Sequence, residues 1–576
     1  MADSECDQFN KSKFDENGMT TVRRKRSVQV SFFREQRMGS AIICCLVWSL
    51  SAPVIGWSAD AVPIPLGSAR QLFFDDRIVA ASKGLKRIWH QPEKELAPVL
   101  KKQNAWEGMG PYVYGTVLRD PISQQFKVWY NCYVGGQPDY FIGYATSKDG
   151  LQWDRPDCNT VRDPRLPAGN NVVLLGSGLP QYRQCLSPSV LFRPDEPDPL
   201  RRYAMVYWDV SAAGADKFFG LCLAYSSDGI HWTNDNRNPV FDGVSDVTDA
   251  QYDPAGKRYL LHYKIWRVEG DVVSSKLPRG TAGRVSYWPT WDTVKGEGDA
   301  VRFQGRLVDF ASNDTSPMSG SIDFSKPPTY RRVVARAEST DLVHWTDARL
   351  VFELPESSDP PGVSTYGMST FSYEGRYLGL LRVFHDEHEI DLELAVSDDD
   401  RSWQRPTPGR PFIPLGQAGT FDAGMVFSAN SPVVVDDELW FYFGAFTGHH
   451  AAADTDQVAA IGLAKLRRDG FVSFTAANEM GELITAPLKF KGDRLVLNAV
   501  AKDGELMAEI QDENGNPLPG FAFSDCDSFQ GDSVSHAMAW RRNSDVSQFQ
   551  GKAIRLSFRL KNVQFYAFQF QTSDTR

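Results

Sequence analysis

The sequence lacks the excess of basic residues that nucleic-acid-binding proteins carry. Its 62 lysines and arginines are outnumbered by 72 aspartates and glutamates, so the formal net charge is -10 at pH 7. Binding to nucleic acid usually leaves a basic footprint, because phosphate contacts supply most of the affinity. The acidic balance therefore argues against a nucleic-acid partner and fits an acidic soluble enzyme or binding protein.

Cysteine is scarce, with 8 residues in a chain of 576. None of the cysteines shows the close paired spacing of a zinc site. The number of cysteines after residue 61 is odd, so at most two disulfides can form among them. The alternative, which has equal weight, is that these cysteines are buried free thiols. These cysteines are Cys132, Cys158, Cys185, Cys222 and Cys526.

Only one long apolar run is present, and it lies near the N-terminus. Residues 41–57 (AIICCLVWSLSAPVIGW) follow several arginines and precede small residues at Ser58, Ala59 and Ala61. This order of basic, apolar and small residues is typical of a secretory signal peptide. The sequence predicts an N-terminal extension and signal peptide over 1–61, a secreted or periplasmic protein, and no membrane attachment after cleavage. An uncleaved membrane anchor is the alternative.

Long amphipathic helical periods are also scarce, whereas turn pairs such as Asp-Gly are frequent, which favours an all-β fold. A nine-residue marker recurs, as in AYSSDGIHW from Ala224, and predicts a strand, a tight turn and a return strand. An aromatic strand precedes each marker. The other copies begin at Ala145, Ala337, Ala395 and, in a worn form, Ala464.

Five copies of two signals in one order predict a β-propeller of five four-stranded blades over 62–470. In the third blade, residues 267–333 form a long insertion that predicts a lid or binding loop, with a disordered surface insertion as the alternative. The strand Arg70 to Ala80 is predicted to close the ring. Beyond residue 470 the markers stop, and short alternating strands with hairpin turns predict a β-sandwich over 471–576.

This arrangement resembles the superfamily of glycoside hydrolase families 32 and 43, and most of all the exported bacterial relatives of family 32. SxDGxxW-type turns and the C-terminal β-sandwich carry the resemblance. It implies a carbohydrate substrate, glycosidic cleavage by carboxylate residues and no cofactor. The acid motifs of these families (Asn-Asp-Pro, Arg-Asp-Pro and Glu-Cys) do not occur at the matching positions, so no catalytic residue is carried over by motif.

Acidic residues near the starts of the innermost strands are the candidate catalytic groups. Glycosidic cleavage needs one protonated carboxyl and one ionised carboxyl, and crowded acids separate in pKa. Acids converging on the propeller axis from several blades would meet this need. The alternative for each is a turn or cap residue. The candidates are Glu107, Asp246, Asp249 and Asp422.

Other residues at the same predicted end of the blades are candidates for substrate binding. Aromatic rings stack on sugars, and Arg or Lys can bind a carboxylate or sulfate on an acidic glycan. Aromatic residues that fill the space between blades are the alternative. The candidates are Trp106, Trp208, Asp209, Lys264, Trp266, Tyr366, Arg382 and His385.

Two loops on adjacent blades contain possible ligands of a divalent metal. The first is HDEHE, from His385 to Glu389, and the second contains His449, His450, Asp454 and Asp456. Solvated polar loops are the alternative. The sequence therefore leaves three hypotheses: a glycosidase, a non-catalytic glycan-binding propeller, and a metal-dependent enzyme acting on polysaccharide. The oligomeric state stays open.

Overall fold

Strands make up almost all of the regular structure. The chain is seen in a computed structural model that describes residues 62–133, 140–176, 185–211, 218–242, 244–269, 272–273, 285–287, 300–309, 314–323, 329–346, 349–355, 357–385, 388–453 and 456–573. The helical turns that lie wholly within these ranges are the single 3-10 turns Ala105–Glu107, Pro199–Arg201 and Ser547–Phe549. The all-β prediction is confirmed. No helix in the described part has the length and apolar character needed to cross a membrane, and the predicted signal peptide lies outside it.

Six short strands precede the first blade. The first four pair with strands of the C-terminal region, and the last two pair with the final strand of the fifth blade. They are β1 (Ile64–Pro65), β2 (Gln71–Leu72), β3 (Val79–Lys83), β4 (Lys86–Trp89), β5 (Glu93–Lys94) and β6 (Leu100–Lys101).

Blades one and two are antiparallel meanders in which two short strands share the outermost position. Blade one contains β7 (Pro111–Tyr112), β8 (Val117–Arg119), β9 (Phe126–Tyr133), β10 (Tyr140–Ser147), β11 (Trp153–Asp154) and β12 (Val172–Leu175). Blade two contains β13 (Cys185–Phe192), β14 (Tyr203–Ser211), β15 (Phe218–Ser226), β16 (Thr233–Asn234) and β17 (Phe241–Asp242).

Blade three carries the long insertion, and the insertion has strands of its own. The hairpin β22–β23 pairs through β21 with the second strand of the blade, β19. The role of this insertion as a lid stays a prediction. The strands are β18 (Thr248–Asp253), β19 (Arg258–Glu269), β20 (Val272–Val273), β21 (Val285–Tyr287), β22 (Ala300–Asp309), β23 (Asp314–Asp323), β24 (Thr329–Ser339) and β25 (Arg349–Phe352).

Blades four and five follow, and the N-terminal strands β5 and β6 complete the fifth. Lys94 lies opposite Ala464, and Lys101 lies opposite Ala460. Blade four contains β26 (Ser364–Tyr373), β27 (Arg376–Phe384), β28 (Ile390–Ser397) and β29 (Trp403–Gln404). Blade five contains β30 (Met425–Ser428), β31 (Val433–Val435), β32 (Glu438–Phe446) and β33 (Ala459–Arg467).

The expectation that Arg70 to Ala80 closes the ring was wrong. Gln71 and Leu72 instead pair with the C-terminal strand Val563–Gln571. The apolar side chains of Phe73, Phe74 and Ile78 are buried in the core shared with the C-terminal region. Burial of these large apolar groups fixes the segment on the sandwich, so the later strands β5 and β6 are the ones that reach the ring.

The repeated marker forms its turn through side-chain hydrogen bonds to the backbone. In blade two, Ser226 Oγ accepts from the N–H of Gly229 at 2.9 Å. Asp228 Oδ1 accepts from the N–H groups of Ile230 and His231 at 2.8 and 2.9 Å. The same bonds recur in the other three full copies. The serine and aspartate of the marker are therefore scaffold residues, as this local bonding favours turns.

Two of the marker turns also join a blade to the blade before it in the ring. Trp129 Nε1 of blade one donates to the carbonyl of Gly229 in blade two at 2.8 Å. The hydroxyl of Tyr442 in blade five donates to the carbonyl of Gly150 in blade one at 2.8 Å. This second contact links the last blade to the first and closes the ring.

Polar side chains hold the innermost strands together at the ring axis. Asn430, after β30, donates through Nδ2 to Ser189 Oγ at 2.8 Å and to the carbonyl of Ala250 at 3.1 Å. Its backbone N–H donates to the carbonyl of Gly115 at 2.7 Å. A Cβ on Gly115 would lie 2.2 Å from the carbonyl oxygen of Pro188, so only glycine permits this approach of blades one and two.

The C-terminal region is the predicted β-sandwich. Its longest strand, Arg494–Gln511, pairs with Val563–Gln571 in one half and with Arg555–Lys561 in the other, and so joins the two layers. Phe558 and Phe565 pack between the layers with ring centroids 4.9 Å apart. The strands are β34 (Val472–Ala476), β35 (Gly481–Thr485), β36 (Leu488–Lys489), β37 (Arg494–Gln511), β38 (Cys526–Asp527), β39 (Phe529–Ala537), β40 (Ala539–Trp540), β41 (Arg555–Lys561) and β42 (Val563–Gln571).

Candidate active site

One end of the ring axis gathers aromatic and charged side chains from four blades. Tyr114 of blade one packs against Phe427 of blade five at 4.9 Å between centroids, and Phe427 packs against Tyr366 of blade four at 5.9 Å. We call this group the axial cluster. Its members lie at the starts of first strands or the ends of second strands, which is the end that the blade order predicts. They are Tyr114, Asp246, Asp249, Lys264, Tyr366, Arg382 and Phe427.

Asp249 is the most deeply buried acid of the axial cluster. It lies in β18 with 2% of its surface exposed, and its Oδ1 makes no hydrogen bond with any described residue. Burial raises the pKa of Asp249 to about 6, although Arg382, the Ser369 hydroxyl, His262 and the Thr370 N–H each lower it. A carboxyl with this pKa can hold a proton close to neutral pH and give it up there.

Arg382 reaches from blade four across the axis. Its Nη2 donates to Ser369 Oγ at 2.5 Å and to the carbonyl of Ser428 in blade five at 3.3 Å. Its Cζ lies 4.8 Å from the ring centroid of Tyr114 in blade one. A Cβ on Gly367 would lie 3.1 Å from Nη1 of Arg382, so the glycine leaves room for this crossing. The guanidinium is thus fixed beside Asp249 by contacts to three blades.

Asp246 and Lys264 form an ion pair closer to the surface. Lys264 Nζ lies 3.2 Å from Asp246 Oδ1, and the aspartate side chain is 26% exposed. The same Nζ lies 4.5 Å from the ring centroid of Tyr366. Tyr366 is held in turn by a hydrogen bond of 2.9 Å between its hydroxyl and His450 Nε2. An exposed carboxylate therefore lies three residues before the buried carboxyl of Asp249.

The predicted binding residues divide between the axial cluster and the protein interior. Trp106 and Trp208 are buried among apolar neighbours, so both fill space in the core. Asp209 is fully buried opposite Cys185. His385 lies on the same end of blade four, with Nε2 3.0 Å from Asp391 Oδ2. The backbone of Trp266 lies in β19, and its side chain is outside the described part.

Two of the predicted acids, Glu107 and Asp422, are each paired with a cation outside the axial cluster. Glu107 ends a 3-10 turn and accepts through Oε2 from the N–H groups of Gln103 and Asn104 at 2.7 and 2.8 Å. Its Oε1 accepts from Arg155 Nε at 2.9 Å. Asp422 Oδ2 accepts from Lys94 Nζ of the closing strand at 2.6 Å. Each of these two acids thus bonds to its own loop and to its own cation, and the convergence of Glu107, Asp249 and Asp422 stays a prediction.

We expect Glu107→Gln to lower the free energy of unfolding by about 1–3 kcal/mol, because the buried guanidinium of Arg155 would lose its charged partner. Chemical denaturation measures this change. The control is Glu482→Gln, which makes the same change in an exposed ion pair with Arg559 at 3.7 Å and should have little effect. Equal losses in the two variants would contradict the structural role of Glu107.

The raised pKa of Asp249 predicts a pH-dependent gain in stability for Asp249→Asn. The folded pKa of about 6 lies above the ordinary aspartate pKa of 3.8, so the folded state binds the proton more tightly than the unfolded chain. The wild type is therefore fully stabilised below pH 3.8 and loses this stability as the pH rises to 6. At about 1.4 kcal/mol per pKa unit the loss is about 3 kcal/mol.

Asparagine does not titrate, so Asp249→Asn should be more stable than the wild type at pH 7.5 by up to this amount. Denaturation at pH 7.5 and pH 4 measures the difference between the two proteins at each pH. The stability that Asp249→Asn gains over the wild type should be smaller at pH 4 than at pH 7.5. A difference that is the same at both pH values would show that Asp249 has an ordinary pKa.

The two histidine-containing loops meet, but they bring together few possible metal ligands. The N–H of His450 donates to the carbonyl of His388 at 2.9 Å, and the rings of His388 and His449 are 6.1 Å apart. Among the described residues there is no group of three or more His, Cys, Asp or Glu side chains placed to hold a metal ion. Asp386, Glu387 and Asp454 of these loops lie outside the described residues.

The five cysteines after residue 61 are free thiols, and four of them are buried. Of the two alternatives that the sequence left open, disulfides or free thiols, the structure has free thiols at these positions.

Comparison with known proteins gives similarities in structure alone. No protein-family model matches the chain, and no curated protein matches it. An N-acetylgalactosamine deacetylase from F. plautii, solved with blood group B trisaccharide, is 13% identical with a TM-score of 0.38, over 68% of this chain and 97% of that one. A thermostable family 43 glycoside hydrolase is 12% identical with a TM-score of 0.36, over 62% and 91%.

A family 32 β-fructofuranosidase from Bombyx mori is 11% identical with a TM-score of 0.33, over 84% of this chain and 95% of that one. The chain is thus similar in structure to glycoside hydrolases of families 43 and 32, as the sequence resemblance predicts.

Proposed function

We propose that this protein cleaves glycosidic bonds in a poly- or oligosaccharide, with Asp249 as the proton donor. The observation that carries the proposal is a buried carboxyl at the ring axis whose pKa is raised to about 6. Asp246, the second carboxylate of the axial cluster, lies three residues earlier in the chain. Two carboxyl groups in unlike environments are what glycosidic cleavage needs.

The roles follow from the two environments. Protonated Asp249 gives its proton to the leaving oxygen as the bond from that oxygen to the anomeric carbon breaks. Asp246, ionised beside Lys264, takes a proton from the water whose oxygen bonds to the anomeric carbon. The water thus supplies a hydroxyl to one sugar and, through the two acids, a proton to the other. The rings of Tyr114 and Tyr366 offer apolar faces to the sugar, and Arg382 offers hydrogen-bond donors.

A non-catalytic glycan-binding propeller is the second candidate. The burial of Asp249, with 2% of its surface exposed, favours it, because a proton donor must touch its substrate. The structural bonds of Glu107 and Asp422 favour it as well, since they leave the axial cluster with two carboxylates. In that case Asp249 and Arg382 would hold the floor of a binding site without reacting.

A screen of the full protein against plant and algal polysaccharides tests both candidates. Release of new reducing ends by the wild type and not by Asp249→Asn would support cleavage. Retention on an immobilised polysaccharide without release would support the binding module. Neither binding nor release by any polysaccharide in the panel would overturn both candidates.

We further propose that the protein is exported, since the apolar run at 41–57 has the flanking residues of a secretory signal. Mass spectrometry of the N-terminus of the protein made in a secreting bacterial host tests this. A mature N-terminus close to residue 62 in the extracytoplasmic fraction is the expected result. A chain that keeps residues 41–57 would contradict cleavage.

A further inference from the structure

A row of side chains of alternating charge runs from Asp249 along the contact between blades three and four. Asp249 lies opposite His262 in the β18–β19 register. His262 Nε2 lies 3.1 Å from Asp400 Oδ1, and Asp400 Oδ2 accepts from Arg336 Nε at 2.6 Å. Arg336 continues the row to Glu338 at 2.7 Å. We call these five residues the interblade charge row, and its middle members are almost completely buried.

Asp400 enters this row through an exception in the repeat. It occupies the position that is glycine in the markers of blades one and two, and its backbone keeps the left-handed conformation of that glycine at φ 60°. A carboxylate in this position points into the adjacent blade. The glycine at the equivalent position of another marker, such as Gly229 in blade two, has no side chain to do so. The fourth marker thus brings a negative charge to His262 at the cost of a strained backbone.

Thr370 connects His262 to Asp249 by a second route. Its hydroxyl lies 3.0 Å from His262 Nδ1, and it accepts from Gln251 Nε2 at 2.5 Å. The backbone N–H of the same threonine donates to the carboxylate of Asp249. The histidine is therefore fixed at both ring nitrogens, by Asp400 on one side and by Thr370 on the other.

We propose that His262 is a positioning residue for Asp249: oriented by Asp400 and Thr370, it sets the pH at which Asp249 gives up its proton. The inference rests on the proposed function, in which Asp249 is the proton donor. His262 is buried, lies opposite Asp249 in the strand register and interacts with its charge, so it acts through that residue. A positive His262 favours the ionised form of Asp249 and opposes the effect of burial.

The charged groups that face His262 come from three elements. They are Asp249 of β18, Arg336 of β24 and Asp400 of the fourth marker turn. The ring of Trp403 covers it edge to face at 6.1 Å.

The test measures the protonation of Asp249 without using activity. The free energy of unfolding of the wild type and of each variant is compared with that of the same protein carrying Asp249→Asn in addition. This difference is measured between pH 4 and pH 8. His262→Asn should move the midpoint of this difference to higher pH by about one unit, a tenfold change in proton affinity. The control is His231→Asn, which removes an exposed imidazole paired with Asp228 at 2.7 Å and should leave the midpoint unchanged.

Thr370→Val is a second variant, which keeps the backbone N–H to Asp249 and removes the hydroxyl next to His262. It should move the midpoint in the same direction by a smaller amount, and it decides the question if His262→Asn does not fold. Midpoints equal to the wild type in the variants that fold would overturn the inference.

The result separates this inference from the proposed function. A shifted midpoint in a protein that cleaves no polysaccharide would keep the link between His262 and Asp249 and reject the hydrolase. Cleavage that depends on Asp249 but keeps the wild-type pH profile in His262→Asn would keep the hydrolase and reject the positioning role.

Discussion

Asp249→Asn is expected to lower the rate of glycan cleavage by about a hundred- to ten-thousand-fold, the usual cost of removing a general acid. Asparagine fills the same volume and keeps the hydrogen bonds from Ser369 and Thr370, but it has no proton to give. The measurement is kcat/KM on a polysaccharide that the wild type cleaves. Because the variant should be more stable than the wild type at neutral pH, unfolding cannot explain its lost activity.

Asp422→Asn is the matched control for this experiment. It makes the same change at an acid that the sequence places equally well, but whose carboxylate bonds to Lys94 on the closing strand. Its kcat/KM should stay close to that of the wild type. If Asp422→Asn lost as much activity as Asp249→Asn, the assignment of Asp249 as the single proton donor would be wrong.

The pH dependence gives a second readout of the same residue. With the pKa of Asp249 near 6, the protonated fraction falls about tenfold for each pH unit above 6. The wild-type kcat/KM should therefore decline on its alkaline side from about pH 6. A profile that stays flat to pH 8 would contradict proton donation by Asp249, even if its replacement abolished activity.

The repeat pattern of the sequence was enough to predict the blades, because each marker encodes its turn locally. The side chains of Ser226 and Asp228 bond to each other and to the backbone N–H groups of Gly229 and Ile230, which are next to them in the chain. The closure of the ring depends on long-range burial instead. Phe73 and Phe74 look like any other apolar strand residues in the sequence, and only the core around them shows that they belong to the sandwich.

The site was predictable to the extent that strand order determines which end of each blade meets the axis. Asp246, Asp249, Lys264, Tyr366 and Arg382 were all placed at that end, and the structure brings them together. Glu107 and Asp422 satisfied the same rule of an acid before a strand. What sets them apart is a cation from a distant segment, and pairing of this kind is not visible in the spacing of one sequence.

Tyr114 and His262 were missed for different reasons. Tyr114 follows a two-residue strand in the run GPYVYG. The aromatic pattern of this run did indicate its position near the axis. His262 lies inside an aromatic strand, YLLHYKIW. A single polar residue is ordinary there, because alternate residues of a strand face opposite sides. The clue to its role was in the fourth marker, where Asp400 replaces a glycine without an evident local benefit.

Asp400→Ala is expected to lower the free energy of unfolding by about 1–3 kcal/mol, because the buried Arg336 would lose one charged hydrogen bond and keep only its partly exposed partner Glu338. His262 would lose the same partner. Asp400→Gly should lose about 1 kcal/mol less than the alanine variant, since glycine adopts the left-handed backbone of this turn without strain. Chemical denaturation of the two variants separates the charge contribution from the backbone contribution.

The backbone contribution can be measured independently at Lys257, an exposed turn residue with a similar φ of 49°. The difference between Lys257→Ala and Lys257→Gly gives the strain relieved by glycine alone, and the same difference should appear between the two Asp400 variants. If Asp400→Gly were as stable as the wild type, the carboxylate would contribute no more than the strain it causes. Asp400 would then be a neutral replacement of the marker glycine, and the interblade charge row would have no energetic basis.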